Sequence, residues 1–266
     1  MQIRQLNKST ELQICLLHGW GMNAAIFEQF SHLLELAVNR ELQQTVDIHL
    51  IDLPGYGNEI GQYAHGDIAS LSAAVERRLP DDCVVLGWSL GGLVAQALAV
   101  NACKKISALI TVCSSPKFVA SDDWPGIDAK VLANFQEQLV HSSVKTLKRF
   151  LAIQNLGQPD AKTNIQRMLN AVNAKPIANA DTLKGGLNIL HNTDLREHLH
   201  LIKVPTLRLY GRLDSLVPHK AQQKITALHP TCKSIVYSKA SHAPSMSHPQ
   251  DMIDDIVSFI KSVKKY

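Results

Sequence analysis

Three side chains that lie far apart in the sequence have the types and the order needed for nucleophilic attack on an ester. Ser89 lies within Gly-Trp-Ser-Leu-Gly, while Asp214 and His242 each follow a later apolar run. A serine hydroxyl attacks a carbonyl only when a histidine takes its proton, and that histidine needs a carboxylate to orient it. We therefore predict that Ser89 is the nucleophile, His242 the base and Asp214 the orienting acid.

The turn around Ser89 is predicted to present its hydroxyl to a substrate. Residues 83–86 form an apolar, strand-like run, and residues 92–100 favour a helix. Small residues at Gly87 and Gly91 let the strand and the helix approach each other closely enough for a strained turn between them. The free NH groups at the start of the helix then face any negative charge that develops there.

Other residues could take the roles of base and acid, although their positions fit less well. His248 stands beside Pro249 and is interpreted as a surface residue at a helix start. Asp194 precedes the strand that the acid should follow, and three further aspartates belong to the last predicted helix, namely Asp251, Asp254 and Asp255. The remaining histidines, including His219 and His229, are predicted to be surface or capping groups.

Attack on an ester also requires two hydrogen-bond donors for the oxyanion. One is the backbone NH of Leu90, which follows the nucleophile. The other is predicted to be the NH of Trp20, because the glycines of the segment His-Gly-Trp-Gly at 18–21 free the backbone to turn inward. His18 could act as a second base, but we favour a role in hydrogen bonding this loop.

The predicted elements alternate in a way that brings these loops together. Strands are predicted at 13–17, 46–53, 83–86, 106–112, 206–210 and 234–237. Helices are predicted at 26–36, 68–79, 92–100, 220–228 and 250–263. Such alternation favours a parallel sheet with right-handed crossovers and helices on its faces. The catalytic loops would then share the edge at which the strands end.

The alternation breaks at about Pro116. Helices are predicted at 131–152, 164–172 and 180–190, with no strand between them. A helical insertion that follows the carboxyl end of a strand would lie over the site as a lid. We therefore expect a single domain over residues 1–266, with a lid at about 117–190 after the strand that ends near residue 113.

The composition is that of a globular protein. The chain has 266 residues, of which 45% are hydrophobic and 19% charged, and a net charge of +4. This balance argues against disorder, and no nucleic-acid motif accompanies the modest charge. The five scattered cysteines suggest reduced core thiols, and no metal site or cofactor is expected. Residues 1–8 lack an apolar signal region and no stretch approaches about 20 apolar residues, so we expect a cytoplasmic, monomeric protein that does not contact membranes.

The motifs around these residues resemble those of the α/β-hydrolase superfamily over almost the whole chain. The matching segments are 16–21 (LLHGWG), 52–55 (DLPG), 86–95 (LGWSLGGLVA), 114–116 (SSP), 123–127 (DWPGI), 149–152 (RFLA), 207–211 (LRLYG) and 242–244 (HAP). Trp88, the Trp-Pro-Gly segment and Arg-Phe-Leu-Ala are the more specific ones. They are similar to the family of biotin-synthesis esterases that hydrolyse a methyl ester on a pimeloyl chain carried by acyl carrier protein.

This resemblance implies roles for particular residues. Ser89, Asp214 and His242 match the catalytic residues, and Trp20 and Leu90 match the oxyanion donors. The segment that would bind the acyl chain consists of Phe150, Leu151, Ala152, Ile153 and Gln154. The carrier-docking positions are matched clearly at Lys145, Arg149 and Lys162, whereas the match near Gln166 and Arg167 is shifted. Acyl carrier protein is thus the implied partner.

The charges of the predicted lid give a separate indication of this partner. Between residues 140 and 175, six basic residues face one acidic residue, Asp160; the six are Lys145, Lys148, Arg149, Lys162, Arg167 and Lys175. Lys145 and Arg149 are four residues apart and share a helical face. A basic rim would steer an acidic carrier protein toward the site. The alternative is an ordinary solvated lid surface.

Several other functions use the same machinery or the same fold. A broad carboxylesterase acting on short free acyl esters is the nearest alternative. A hydrolase of carbon–carbon bonds and a cofactor-free perhydrolase are further possibilities, whereas a dehalogenase would carry aspartate in place of Ser89. A non-catalytic binding protein would not require all three catalytic residue types.

Overall fold

The computed structural model describes residues 11–61 and 66–263. Six strands form one sheet: β1 (Leu12–Leu17), β2 (Val46–Ile51), β3 (Cys83–Trp88), β4 (Ile106–Val112), β5 (Thr206–Gly211) and β6 (Lys233–Tyr237). Their order is β2-β1-β3-β4-β5-β6, and every neighbouring pair is parallel. This parallel sheet, which is flanked by helices, confirms the predicted α/β fold class.

The described residues contain ten α-helices. The first five are α1 (Glu28–Leu42), α2 (Ile68–Glu76), α3 (Leu90–Val100), α4 (Ala129–His141) and α5 (Ser143–Gln154). The others are α6 (Ala161–Asn173), α7 (Ala180–Asn192), α8 (His219–Leu228), α9 (Pro244–Ser247) and α10 (Pro249–Val263). Short 3-10 helices occupy Ala24–Phe27, Gly57–Glu59 and Arg196–Leu201.

The burial of each strand follows its place in the sheet. Every residue of β3 and β5 is buried, because helices cover both faces of the sheet. The edge strands β2 and β6 are half-exposed. The chain moves outward from β1 to β2 and then returns past β1 to β3, so the connecting helices lie on opposite faces. A loop crevice opens at such a reversal point, beyond the carboxyl ends of the strands.

Several element boundaries differ from those predicted. The first predicted helix begins with a 3-10 turn that Asn23 caps, and α1 then runs from Glu28 to Leu42. The second predicted strand ends at Ile51, and the second predicted helix ends at Glu76. At the serine turn, β3 continues to Trp88, so that Ser89 alone separates the strand from the helix.

The single helix predicted at 131–152 is wrong, because the structure contains two helices there. Ser142 has an extended backbone and separates α4 from α5. Its hydroxyl accepts a hydrogen bond from the Lys145 NH, at 3.3 Å, and thereby caps the new helix. Four helices, α4–α7, thus stand between β4 and β5 in the sequence.

The core contains the cysteines and most of the large apolar side chains. All five cysteines are buried and unpaired, as the sequence suggested.

The N-terminal residues 1–8, on which the expectation about a leader depends, lie outside the described residues. Within the described ranges, no helix combines the length and the hydrophobicity that crossing a bilayer would require.

Candidate active site

The backbone of Ser89 is strained in the way that its turn requires. Its φ of 55° is left-handed, which is uncommon for a residue with a side chain. Close packing beneath the turn depends on Gly87 and Gly91, because a Cβ at Gly87 would overlap the Gly91 carbonyl and one at Gly91 the Leu17 carbonyl. The Ser89 NH donates to the Val112 oxygen at 3.0 Å, which ties the turn to β4. Backbone strain of this kind is typical of functional sites.

The structure brings the three predicted catalytic side chains into one hydrogen-bonded chain. Ser89 Oγ lies 2.9 Å from His242 Nε2, and His242 Nδ1 lies 2.8 Å from Asp214 Oδ2. The second carboxylate oxygen of Asp214 accepts hydrogen bonds from the NH groups of Leu216 and Val217, at 2.8 and 3.0 Å. With Nδ1–H donating to Asp214, Nε2 is left free to accept the serine proton.

These three side chains are shielded from solvent. The exposed fractions of Ser89, Asp214 and His242 are 1%, 4% and 0%. Exclusion of water strengthens the interactions between charges that develop during a reaction. His248, the alternative base, instead contacts Ser247 and stacks against Tyr237. Among the alternative acids, Asp255 accepts a hydrogen bond from the hydroxyl of Tyr237.

The two predicted oxyanion donors belong to segments that adjoin Ser89. Leu90 is the first residue of α3, where an NH group has no acceptor within its own helix. The loop that holds Trp20 lies beside Ser89, because a Cβ added to Gly19 would lie 3.2 Å from the Cβ of Ser89. The indole Nε1 of Trp20 donates to the Leu183 oxygen at 2.8 Å, which connects this loop to α7.

His18 shapes the oxyanion loop, as the favoured interpretation held. Its Nδ1 donates to the Gly19 oxygen at 2.8 Å, and its Nε2 accepts from the Leu53 NH at 3.0 Å. Burial lowers the pKa of His18 to about 4, so the ring is neutral at neutral pH. Both ring nitrogens are therefore occupied by the backbone, which leaves neither of them free to act as a second base.

The predicted acyl-binding segment forms the last turn of α5 and contacts the histidine loop. The Gln154 carbonyl accepts hydrogen bonds from the NH of His242, at 3.2 Å, and from the hydroxyl of Ser241, at 2.9 Å. The Phe150 ring packs edge-on against Trp20, with 4.7 Å between centroids. Leu151 is buried, whereas Ile153 is half-buried and Ala152 is exposed.

The side-chain amide of Gln154 is buried without a hydrogen-bond partner among the described residues. Its exposed fraction is 0%, and neither its oxygen nor its nitrogen has a partner. An unpaired buried polar group lowers the free energy of unfolding. Such groups in a native protein therefore often belong to a ligand site.

The three predicted docking residues are exposed on two neighbouring helices. Lys145 and Arg149 lie on α5 and Lys162 lies on α6. The Arg149 guanidinium also lies 5.8 Å from the centre of the Phe135 ring. A groove of about 250 Å³ separates these helices and reaches Gly21 of the oxyanion loop, with Lys148 at its side.

Lys175, one of the six basic residues counted in the predicted lid, is paired and does not add a free charge to its surface. Its Nζ lies 3.0 Å from Asp52 Oδ2, and both side chains are largely buried. Although burial opposes ionisation of Asp52, hydrogen bonds from the Ala24 and Asn58 NH groups and from Lys175 lower its pKa. Lys175 therefore fastens the segment between α6 and α7 to the loop after β2.

His229, predicted to be a surface or capping group, is the C-cap residue of α8, but it is buried, with 3% of its surface exposed. Its Nδ1 accepts from the guanidinium of Arg208 at 3.2 Å, and Arg208 donates to Gln96 at 3.0 Å. Gln96 donates to the Ser114 hydroxyl, which in turn donates to the Ser89 carbonyl oxygen at 2.8 Å. The sequence analysis missed this network, although an arginine inside the apolar strand TLRLYG could have pointed to it.

Among the described residues, one cluster offers three potential metal ligands: Cys113, Asp214 and His242. The 2.8 Å hydrogen bond between His242 Nδ1 and Asp214 Oδ2 leaves no space for an ion between those two atoms. The arrangement can instead transfer a proton from Ser89 to His242 while Asp214 stays ionised. These are the elements required for nucleophilic attack on an ester or a thioester.

Comparison with known proteins agrees with this chemistry. A family model described as "Alpha/beta hydrolase family" matches residues 16–255. A protein of Klebsiella pneumoniae (strain 342), named "Pimeloyl-[acyl-carrier protein] methyl ester esterase", is 43% identical over 239 residues, which cover 90% of each chain.

Solved structures share the fold at lower identity. An esterase (EaEST) from Exiguobacterium antarcticum has a TM-score of 0.80 at 21% identity, with 94% of this chain and 92% of the esterase covered. A bromoperoxidase from Bacillus anthracis has a TM-score of 0.82 at 15% identity, with coverages of 95% and 92%. At such identities the likeness establishes the fold and leaves the reaction open.

Proposed function

This chain belongs to the alpha/beta hydrolase family, and on that premise we propose that it is a serine carboxylesterase of biotin synthesis. It hydrolyses the methyl ester of a pimeloyl chain carried by acyl carrier protein and releases methanol. The relative that is 43% identical over 90% of each chain bears the name of this activity. The structural observation that carries the proposal is the hydrogen-bonded chain from Asp214 through His242 to Ser89.

The first half-reaction forms an acyl-enzyme. Ser89 Oγ attacks the ester carbonyl while its proton moves to His242 Nε2, and the carbonyl oxygen becomes an oxyanion. The NH groups of Trp20 and Leu90 stabilise this oxyanion. The intermediate collapses when the bond to the methoxy group breaks, and His242 returns its proton to that group, so methanol leaves. Asp214 stays ionised throughout and stabilises the imidazolium.

The second half-reaction releases the acid. Water attacks the acyl-enzyme carbonyl and gives a proton to His242 Nε2, which then protonates Ser89 Oγ as the acyl bond breaks. The product carries a free carboxyl group at the end of its chain and remains joined to the carrier at its other end. Water is the only co-reactant that this scheme requires.

We propose that α4–α7, at about 117–190, act as a lid on a single domain over residues 1–266. This is supported by the contacts of Phe150 with Trp20 and of Gln154 with the histidine loop, because both come from α5. Ser89 is buried, and we propose that substrate reaches it between or beneath these helices. Since enzyme and carrier must share a compartment, we place the reaction in the cytoplasm.

Carrier recognition is assigned to Lys145, Arg149 and Lys162. All three are exposed on α5 and α6, and other residues of these two helices line the groove that reaches Gly21, which supports this assignment. Clustered positive charge speeds the encounter with an acidic partner and aligns it. Phe150 to Gln154 would contact the acyl chain as it passes from this surface to Ser89.

The test compares methanol release from the carrier-linked pimeloyl methyl ester with release from a short free methyl ester. We expect a higher kcat/KM for the carrier-linked ester, and equal values would instead favour a broad carboxylesterase. Ser89→Ala should lower kcat on both substrates by about a thousandfold or more while carrier binding persists. Retained hydrolysis by Ser89→Ala would overturn the mechanism. Rescue of biotin-requiring cells by the wild-type gene, but not by the alanine variant, would place the activity in biotin synthesis.

A further inference from the structure

Ser114 lies against the turn that carries Ser89, although the proposed mechanism gives it no role. Its side chain is fully buried, and its hydroxyl donates to the carbonyl oxygen of Ser89 at 2.8 Å. The NH of Leu93 donates to the same oxygen at 3.0 Å. Two donors therefore engage both lone pairs of this carbonyl, one from the helix itself and one from the segment after β4.

The close approach of Ser114 depends on Gly92. A Cβ added to Gly92 would lie 2.5 Å from the Cβ of Ser114 and 2.7 Å from its Oγ, both far inside van der Waals contact. Because Gly92 has no side chain, the serine hydroxyl can reach the first turn of α3. The glycine that follows the motif Gly-Trp-Ser-Leu-Gly and the first residue of the segment Ser-Ser-Pro thus meet at one contact.

A buried arginine sets the direction of this hydrogen bond. The side chain of Arg208 is fully buried, and its guanidinium donates to Gln96 Oε1 at 3.0 Å. A guanidinium has only donors, so the Gln96 carboxamide turns its oxygen toward Arg208 and its amino group toward Ser114. Gln96 Nε2 lies 3.3 Å from Ser114 Oγ and 3.1 Å from the Gly92 oxygen. Since Ser114 Oγ accepts from Gln96, its own proton is left for the Ser89 carbonyl.

The carbonyl of Ser89 and the NH of Leu90 belong to one peptide group. This group is planar and trans, so its oxygen and its hydrogen point in opposite directions. A donor that fixes the carbonyl on one side therefore also fixes the direction of the NH on the other. A hydrogen bond to the carbonyl oxygen also polarises the peptide group and makes its NH a stronger donor. In the proposed mechanism, the Leu90 NH is one of the two donors to the oxyanion.

We infer that Ser114 is a positioning residue for the oxyanion and that Gln96 and Arg208 orient it. Its hydroxyl holds and polarises the peptide group between Ser89 and Leu90, so that the NH stays aimed at the developing charge. The inference rests on the proposed function, in which that NH stabilises the oxyanion. Ser114 acts through the backbone, and no covalent step passes through it.

Loss of this donor should affect the transition state more than the bound substrate. An ester carbonyl carries little charge before attack, whereas the oxyanion carries a full one. With Ser114→Ala we expect kcat on p-nitrophenyl butyrate to fall by about tenfold and KM to stay unchanged. The affinity for hexyl trifluoromethyl ketone should fall by a similar factor. Ser89 Oγ adds to the carbonyl carbon of this ketone and gives its proton to His242, which leaves an oxyanion at the same donors.

Gln96→Glu separates positioning from stability. The carboxylate has nearly the size of the carboxamide and pairs with Arg208, which compensates for the lost hydrogen bond to Gly92. It has no N–H for Ser114, and it attracts the hydroxyl proton of Ser114 away from the Ser89 carbonyl. We expect kcat to fall by about tenfold, as with Ser114→Ala, while the midpoint of thermal unfolding stays close to that of the wild-type protein.

The matched control is Ser72→Ala. It removes another buried serine hydroxyl, which donates to the Ala69 oxygen at 3.0 Å within α2, and it should leave kcat, KM and ketone affinity unchanged. If Ser114→Ala does not fold, Gln96→Glu carries the test.

Wild-type kcat in Ser114→Ala or in Gln96→Glu would overturn the inference. A loss in kcat with unchanged ketone affinity would also overturn it, as would an equal loss in Ser72→Ala. If the wild-type protein neither hydrolysed p-nitrophenyl butyrate nor reacted with a fluorophosphonate at Ser89, that result would instead contradict the proposed function.

Discussion

The indole Nε1 of Trp88 donates a hydrogen bond to the carbonyl oxygen of His242, with 2.8 Å between the two atoms. The residue before the proposed nucleophile, Ser89, therefore fastens the backbone of the proposed base, His242. The two ring centroids are 6.0 Å apart, so the indole also packs beside the imidazole. This contact spans 154 positions of the sequence and fixes the distance over which the serine proton has to move.

Trp88→Phe should lower kcat with little change in KM. The phenyl ring keeps most of the packing but leaves the His242 carbonyl without its donor, so the histidine loop can shift. We expect a loss in kcat of about tenfold, since small misplacements of a catalytic group are costly. The matched control is Trp124→Phe, which removes a similar bond, of 2.9 Å, from Trp124 to the Lys117 oxygen. Equal kcat losses in both variants, measured beside thermal unfolding, would assign the effect to stability alone.

Reversal of the exposed charges at Lys145 and Lys162 should weaken the reaction of the carrier-linked ester selectively. With Lys145→Glu and Lys162→Glu together, we expect kcat/KM for that substrate to fall by about tenfold or more at low salt. The loss should shrink as salt screens the charges. Lys220 is an exposed residue of α8, outside the proposed lid, so Lys220→Glu makes the same kind of change there and should have little effect. A similar loss on the short free ester would argue against carrier docking at this surface.

Gln154→Leu should stabilise the protein while it impairs catalysis. The buried amide has no partner among the described residues, so replacing it with an apolar side chain removes an unpaired polar group. We expect the free energy of unfolding to rise by about 1 kcal/mol and kcat/KM for the carrier-linked ester to fall. Gln222→Leu is the contrasting variant, because Gln222 donates to the oxygens of Gly211 and Val217 and its loss should destabilise. A lower free energy of unfolding for Gln154→Leu than for the wild-type protein, measured with urea, would contradict this expectation.

Stability should fall as the pH drops from about 6.5 toward 4. Burial lowers the pKa of His18 to about 4, and burial together with the charge of Arg208 does the same for His229. Between these values the unfolded chain binds protons that the folded protein does not, so acid favours unfolding. Each histidine contributes up to about 2 kcal/mol of this loss at pH 5. His229→Gln should reduce the difference in unfolding free energy between pH 7.5 and pH 5, and an unchanged difference would exclude His229 as a cause.

The sequence contained most of what was needed to identify the sheet and the elbow. Apolar runs that end in Gly-rich turns predicted the six parallel strands. This was possible because hydrophobic periodicity and turn propensity depend on residues that are close together in the chain. Ser89, Asp214 and His242 were predicted from the Gly-Trp-Ser-Leu-Gly motif, from the order of the loops after the strands and from the family resemblance, and the structure joins their side chains by hydrogen bonds. The break at Ser142 was missed, because a capping serine inside an otherwise helical pattern does not by itself end a helix.

Pairings between distant residues were decided by the tertiary structure. The pairing of Lys175 with Asp52 and that of His229 with Arg208 could not be read from the sequence, because each partner comes from a distant element. The position of Cys113 beside Asp214 was likewise invisible, since both residues only follow adjacent strands. Sequence periodicity determines which face of an element is apolar, but the burial and charge environment of a polar group depends on elements that other parts of the chain bring to it.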